Sequence, residues 1–295
     1  MMDTAHLRIL RPFPHVLAFY DGRVAGKRFA PGPNWVDDGA LSLGIASYAI
    51  VDGTQALVYD THVSRAHAER VRATLDSMGV TRITVVLSHW HLDHVAGTEV
   101  FADCTIIASQ RTAAHLETHR AAIEAGSHHG LPAINPLIAP THTFTGRAHI
   151  HVGGLHIDLI EAHIHSDDAT VIWLAHDRLL LAGDTLEDCV TYVGEPDQLA
   201  AHLADLDRLA ALQPLHILPN HGDPARIAAG GYGPGLIAAT RDYIGKLIAA
   251  RTDPALRAAP LADWIAPHLA ADTLVWFPPY QAVHANNLAR ILALS

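Results

Sequence analysis

Cysteine is nearly missing from this chain: Cys104 and Cys189 are the only 2 in 295 residues, and neither belongs to a CxxC pair. A disulfide framework is therefore excluded, in keeping with a reducing compartment. Long apolar runs are missing too, and none approaches the roughly 20 residues that span a bilayer. Met1–Pro14 carries charges, histidine and prolines where a leader peptide needs an unbroken apolar stretch. A cytoplasmic protein with no membrane partner is expected. Basic residues are in deficit, 20 against 30 acidic, for a net charge of −10 with histidine neutral. That balance, and the lack of aromatic residues interleaved with basic ones, argues against nucleic acid as a partner. A phosphate-cradling glycine loop is absent as well. Gly230-Gly231-Tyr232-Gly233 follows no lysine motif and reads as a loop at a helix start. With 49 % apolar and 17 % charged residues the chain is globular, and 295 residues can bury a sizeable core. What is abundant is histidine, 23 residues against 20 lysines and arginines together. Imidazole on that scale points to metal.

Strands and helices alternate in two blocks. In the first, Val16–Tyr20 reads as a strand, Gly26–Asp38 as an irregular loop, and Ser47–Val51 with Ala56–Tyr59 as a hairpin around Asp52-Gly53. Ser64 is placed to cap a helix whose face carries Val71, Leu75 and Met78 and which Gly79 ends. Ile83–Leu87 and Thr105–Ala108 read as buried strands, and Gln110–Glu124 as a helix. Gly126–Gly146 is a long loop of the kind that is functional or mobile. The second block has strands at Ala148–Val152, Leu155–Glu161, Thr170–Leu174, Leu179–Leu181 and His216–Leu218, with a helix over Pro196–Leu212. From Pro234 the chain reads as helical. Pattern alone leaves open whether the blocks are two halves of one sandwich or two domains.

Directly after the strand Ile83–Leu87 stands Ser88-His89-Trp90-His91-Leu92-Asp93-His94. In an extended or turning segment residues i and i+2 point the same way, so His89 and His91 can grip one ion. Asp93 and His94 fall where the chain turns toward a helix and can face a second. Neutral imidazoles with a hard carboxylate suit a borderline divalent ion such as zinc. The competing reading makes these side chains helix caps on a solvated loop. Three later features favour metal: His165-Ser166-Asp167-Asp168 between two strands, Gly183-Asp184-Thr185 after one strand, and Pro219-Asn220-His221-Gly222 after another. Each sets a His or Asp at a strand end or on a short loop, where α/β proteins collect their chemistry.

His89-x-His91-x-Asp93-His94, followed in order by His165, Asp184 and His221, resembles the metallo-β-lactamase fold superfamily over roughly residues 45 to 225. The resemblance implies an α/β fold, a four-layer αββα sandwich with the metals at one edge. It implies one domain over residues 1–295, with a core at about 15–225 and a helical elaboration at about 234–295. It also implies that His89, His91 and His165 hold one ion, that Asp93, His94 and His221 hold another, and that Asp184 bridges them. Two divalent ions are the expected cofactors, zinc first, with Mn, Fe or Co accepted by the same donors. Some subfamilies fit poorly. Flavodiiron-type members place an acidic residue where this chain has His91, and lactamases with a cysteine ligand have Cys where it has Asp184. Quorum-signal lactonases carry tyrosine where it has Glu187, and no glyoxalase II glutathione-binding domain follows residue 225.

The implied activity is hydrolysis of a small ester, lactone, thioester or amide by a metal-bridging hydroxide, with Asp93 doubling as a catalytic proton shuttle. A phosphodiesterase or nuclease on the same site is the second reading. A non-catalytic metal-stabilised binding or redox-relay protein is the third. Asp60 and Asp168 are placed either to brace a ligand or to serve a turn. His163, two residues before His165, reads as a wall of the cleft or as the ligand in its stead. Trp90 reads as pocket wall or core, as does Trp35; Tyr192 as oxyanion donor or packed tyrosine; His128 and His129 as substrate contacts or surface residues. Cys189 reads as a small buried residue. The expected partner is a small-molecule substrate, and a homo-oligomer is compatible with the sequence.

Overall fold

The computed structural model describes residues 4–294, so Met1–Asp3 of the N-terminal stretch and Ser295 at the end of the helical tail lie outside the described residues. The chain divides into two compact units, Met1–Glu161 and Ala162–Ser295. Among the described residues the strands form two sheets, one of seven strands and one of five. Among the described residues no helix is long and apolar enough to cross a membrane.

In the first unit, β1 (Arg8–Phe13), β2 (Val16–Asp21), β3 (Ile45–Asp52) and β4 (Gln55–Tyr59) make an antiparallel meander. β2 is buried along its whole length, as an inner strand of Val, Leu, Ala, Phe and Tyr requires. From β4 the sheet turns parallel through β5 (Arg82–Val86), β6 (Thr105–Ser109) and β7 (His142–Phe144). Parallel neighbours need crossovers. α1 (Arg65–Ser77) supplies one after β4, and α3 (Gln110–Glu124) another after β6. Ser64 caps α1 by accepting from the His67 N–H, and Val71 and Leu75 are buried beneath it. Met78 is not part of that buried face: it sits at the C-cap and is 38 % exposed. The irregular loop after β2 ends in a π-helical turn, Val36–Leu41. The long loop that follows α3 contains the short β7, and Trp35 Nε1 donates to Pro132 O at 3.1 Å, tying these two loops together. β8 (Arg147–Val152) and β9 (Leu155–Glu161) close the unit as a hairpin over Gly153-Gly154.

The second unit begins with the turn carrying His165. β10 (Thr170–Leu174) and β11 (Leu179–Gly183) are antiparallel, and β12 (His216–Pro219) is parallel to β11 across α4 (Leu199–Ala211). α4 begins at Leu199 because Pro196 and Asp197 stay in the preceding turn. Helices α5 (Pro224–Ala228), α6 (Gly235–Ala250), α7 (Pro254–Ala258), α8 (Leu261–Ala270) and α9 (Tyr280–Leu292) follow. α5 starts as sequence rules ask, with Asp223 accepting from the Ala225 and Arg226 N–H groups and Pro224 in the first turn. Leu236, Ile244, Leu247, Trp264, Tyr280 and Ile291 pack the interior of this helical layer.

Candidate metal centre

Four predicted donor side chains of the first unit come from one short stretch, His89 and His91 after β5 and Asp93 and His94 in the turn α2 (Leu92–Val95). β4 and β5 run parallel and in register, Tyr59 opposite Val86, so both release their next residues at the same sheet edge. Asp60 and Ser88 meet there: the Ser88 N–H donates to Asp60 Oδ1 at 2.6 Å. The other carboxylate oxygen, Asp60 Oδ2, accepts from His94 Nδ1 at 2.9 Å. Asp60 therefore braces a predicted ligand, one of the two alternatives its position allowed, and fixes which His94 nitrogen remains for a cation. It does so from a left-handed backbone, φ 66°, a costly conformation for a residue other than glycine. Thr61 adds a second strap, its N–H and Oγ1 donating to His94 O at 2.7 and 3.0 Å. Gly97 is needed for this approach, since a Cβ there would lie 2.3 Å from both Thr61 O and Ala68 Cβ.

The predicted ligand rings are gathered closely. The His89 ring centroid lies 4.5 Å from that of His91 and 4.2 Å from that of His94. His89 Nδ1 shares a hydrogen bond with Ser88 Oγ at 2.8 Å, and Asp93 Oδ1 stands 3.5 Å from His94 Nε2. His89 and His94 are buried, while His91 and Asp93 are half-buried. Trp90 turns to α3, stacking on His115 at 5.1 Å and His119 at 4.7 Å and tilting against His128 at 5.1 Å. Burial, then neighbouring His129 and His119, pushes His128 down to about 4, so this group is neutral at pH 7. Sequence reading missed His115 and His119, although their i, i+4 spacing on a helix is the available signal.

In the second unit the donors sit at strand ends. Asp184 follows β11, and His221 follows β12, its parallel neighbour. The Asn220 N–H donates to Gly183 O at 2.9 Å, holding the two strand ends together. His221 Nε2 lies 3.3 Å from Asp184 Oδ2 and His165 Nε2 lies 3.7 Å from the same oxygen. All three residues are buried, and His165 has a left-handed backbone, φ 71°. Of the pair His163 and His165, it is thus His165 that faces Asp184. Ser166 Oγ donates to Asp168 Oδ1, so Asp168 stabilises the turn itself.

Glu187, which the sequence marks only as a departure from the signal lactonases, lies beside this cluster. Glu187 is buried, with Oε1 3.5 Å from His165 Nδ1 and accepting from Tyr192 N–H at 3.0 Å, and Oε2 accepting from Tyr280 Oη at 3.1 Å. The loop after Asp184 is fastened further to α9. Asn287 accepts from the Val193 N–H at 2.9 Å and donates to Thr191 O at 2.9 Å, and Arg290 donates to Tyr192 Oη at 2.8 Å and to Gly194 O. Tyr192 thereby has its hydroxyl on Arg290. Cys189 is buried, and Phe277 N–H donates to its sulfur at 3.3 Å. His221 has its own brace: Asp188 N–H donates to His221 O at 3.2 Å, while Asp188 Oδ2 accepts from Tyr232 Oη at 2.7 Å.

Both clusters present the nitrogen and carboxylate donors that a borderline divalent cation takes. The family model described as the metallo-beta-lactamase superfamily matches residues 42–255. No curated protein matches the chain in sequence. Among solved structures, a metallo-beta-lactamase from Pontibacter korlensis is similar at a TM-score of 0.62 and 16 % identity, covering 81 % of this chain and 99 % of that one. The DIM-1 metallo-beta-lactamase exposed to ceftazidime gives 0.60 and 20 %, covering 83 % and 98 %. VMB-1 gives 0.59 and 15 %, covering 81 % and 96 %. At these identities the likeness is one of fold.

Proposed function

We propose that this chain, which belongs to the metallo-beta-lactamase superfamily, is a binuclear metal-dependent hydrolase of a small ester, lactone, thioester or amide. The observation that carries this reading is the pair of braced donor sets, all seven residues lying inside the matched span 42–255. Their chemistry fits divalent ions. Asp60 holds His94 by Nδ1, and His165 and His221 both direct Nε2 to Asp184 Oδ2. His89, His91 and His165 would hold one ion, Asp93, His94 and His221 the other, and Asp184 would serve both. Zinc is the ion proposed, and Mn, Fe or Co would be accepted by the same donors. Ions held there would supply water activated near neutral pH and polarise the scissile carbonyl.

The chain's own residues do the remaining work. Asp60 fixes the ring of His94 through Nδ1, and Glu187 stands 3.5 Å from His165 Nδ1, so that ligand geometry is favoured before substrate arrives. Asp93, whose side chain is 18 % exposed, would carry a proton to the leaving group through the carboxylate oxygen that does not hold metal. The apolar and histidine content of the loops Gly26–Asp38 and Gly126–Gly146 suits a small, weakly polar substrate. The test is a panel of lactones, β-lactams, thioesters and phosphodiesters offered to the zinc-loaded protein. At least one carbonyl substrate should turn over, and His89→Ala and Asp184→Ala should each abolish that turnover. Undiminished hydrolysis by metal-stripped protein would contradict the proposal.

A further inference from the structure

The second unit gathers another set of metal-type side chains apart from Asp184: His163, Glu195 and His202. His202 lies in the first turns of α4, Glu195 on the loop that leads into that helix, and His163 on the segment leading to His165. Their backbones are fixed relative to one another. The His163 N–H donates to Asp205 Oδ2 of α4 at 2.6 Å, and the Gly194 N–H donates to His165 O at 2.8 Å. A Cβ on Gly194 would come within 2.5 Å of that carbonyl oxygen, so glycine is what lets the Glu195 loop run so close beside the His163 segment.

One nitrogen or oxygen from each of the three lies within 4.8 Å of the others. His163 Nε2 is 3.7 Å and His202 Nε2 4.0 Å from Glu195 Oε2, and the two rings are 5.4 Å apart between centroids. His202 is 0 % exposed, and neither of its ring nitrogens has a hydrogen-bond partner. His163 Nε2 and Glu195 Oε2 are buried without one too. Interiors normally satisfy more than about nine in ten of their buried polar groups. Orphaned atoms from three residues, all of ligand type, thus lie close around one point.

We propose that His163, Glu195 and His202 bind an additional divalent cation of the zinc class, in a site distinct from the seven donors described above. Two imidazoles and a carboxylate are a three-ligand set that zinc completes with water. The His163 and Glu195 side chains are 21 % and 31 % exposed, so the site lies near the surface although its donor atoms are buried. With bonds of about 2.0–2.2 Å a tetrahedral site has edges near 3.4 Å, so Glu195 closes by roughly half an ångström on binding. Burial, followed by the influence of His163 and His165, pushes His202 down to about 4, which leaves it neutral and ready to ligate at pH 7. Bound there, the ion clamps the loop that carries Asp184 and Glu187 onto α4.

The inference does not depend on the hydrolase reading, and its test keeps the two apart. Full-length protein is titrated with zinc alone, and bound metal per chain is counted for the parent, Glu195→Gln and His202→Asn. Each variant should hold one ion fewer than the parent at equal free zinc, and the zinc-induced rise in Tm should shrink. The ion that depends on Glu195 should persist in Asp184→Asn protein. If His202→Asn fails to fold, Glu195→Gln, with its partly exposed side chain, decides alone. Equal metal content and an equal Tm rise in parent and Glu195→Gln would overturn the site and leave only a histidine–carboxylate contact.

Discussion

The two donor sets are held in opposite ways. In the first unit His89, His91, Asp93 and His94 come from one strand end and one helical turn, and their support comes from the neighbouring strand end at Asp60 and Thr61. In the second, His165, Asp184 and His221 come from three separated turns. Besides the strand-end contact of Asn220 with Gly183, their support comes from a distance: Tyr280 on Glu187, and Asn287 and Arg290 on the loop after Asp184. A set fixed by backbone adjacency tolerates change elsewhere. A set fixed by distant helices inherits every defect in them. The last helix, α9, therefore helps to hold the loop that follows Asp184.

The largest effect separating the sets is expected from Asp184→Asn. It removes the carboxylate that both imidazoles of the second set face, and hydrolysis by the zinc-loaded protein should fall at least about a thousandfold in kcat/KM. Asp60→Asn probes the first set alone. Loss of a carboxylate behind a ligand histidine typically costs about 10–100-fold in metal affinity, to be read by competition with a chelator. Asn287→Ala probes the remote support. It strands the buried Val193 N–H and Thr191 carbonyl, and should lower stability by about 2–4 kcal/mol in urea unfolding. If support is remote as described, zinc affinity should weaken with it, whereas intact affinity would break the contrast.

The smallest effect concerns pH. Asp21 is buried, which alone would raise its pKa, but His67 at 2.8 Å and a bidentate Arg28 outweigh burial and hold it well below its ordinary 3.8. A carboxylate with a depressed folded-state pKa contributes stability above its unfolded value and loses it as pH falls through the folded one. Stability of the parent should thus drop below about pH 4, and Asp21→Asn should be less stable at pH 7 yet flatter over that acid range. Urea midpoints across pH would check it.

The first donor set was legible because contiguous residues carried it, as were the strands rich in Val, Ile and Leu. β1 escaped notice because Arg8, Arg11 and Pro12 give an edge strand a polar look, and β7 because three residues inside a loop have no period. The Asp21–His67–Arg28 network could not be read, since its partners lie 46 and 7 residues apart and nothing local marks them. The same applies to Glu187 and to the His163–Glu195–His202 group. His62 illustrates the point further: it stacks on His67 at 4.4 Å, and burial, then that neighbour, lowers its pKa well below the usual histidine value. A buried histidine of that kind looks no different in sequence from a ligand.

The proposal that both donor sets serve one centre is tested most directly by X-ray absorption on the zinc-loaded protein. A metal–metal vector of about 3.5–4 Å is expected, and it should vanish in Asp184→Asn. Absence of that vector in fully loaded parent protein, or its survival without Asp184, would contradict the account.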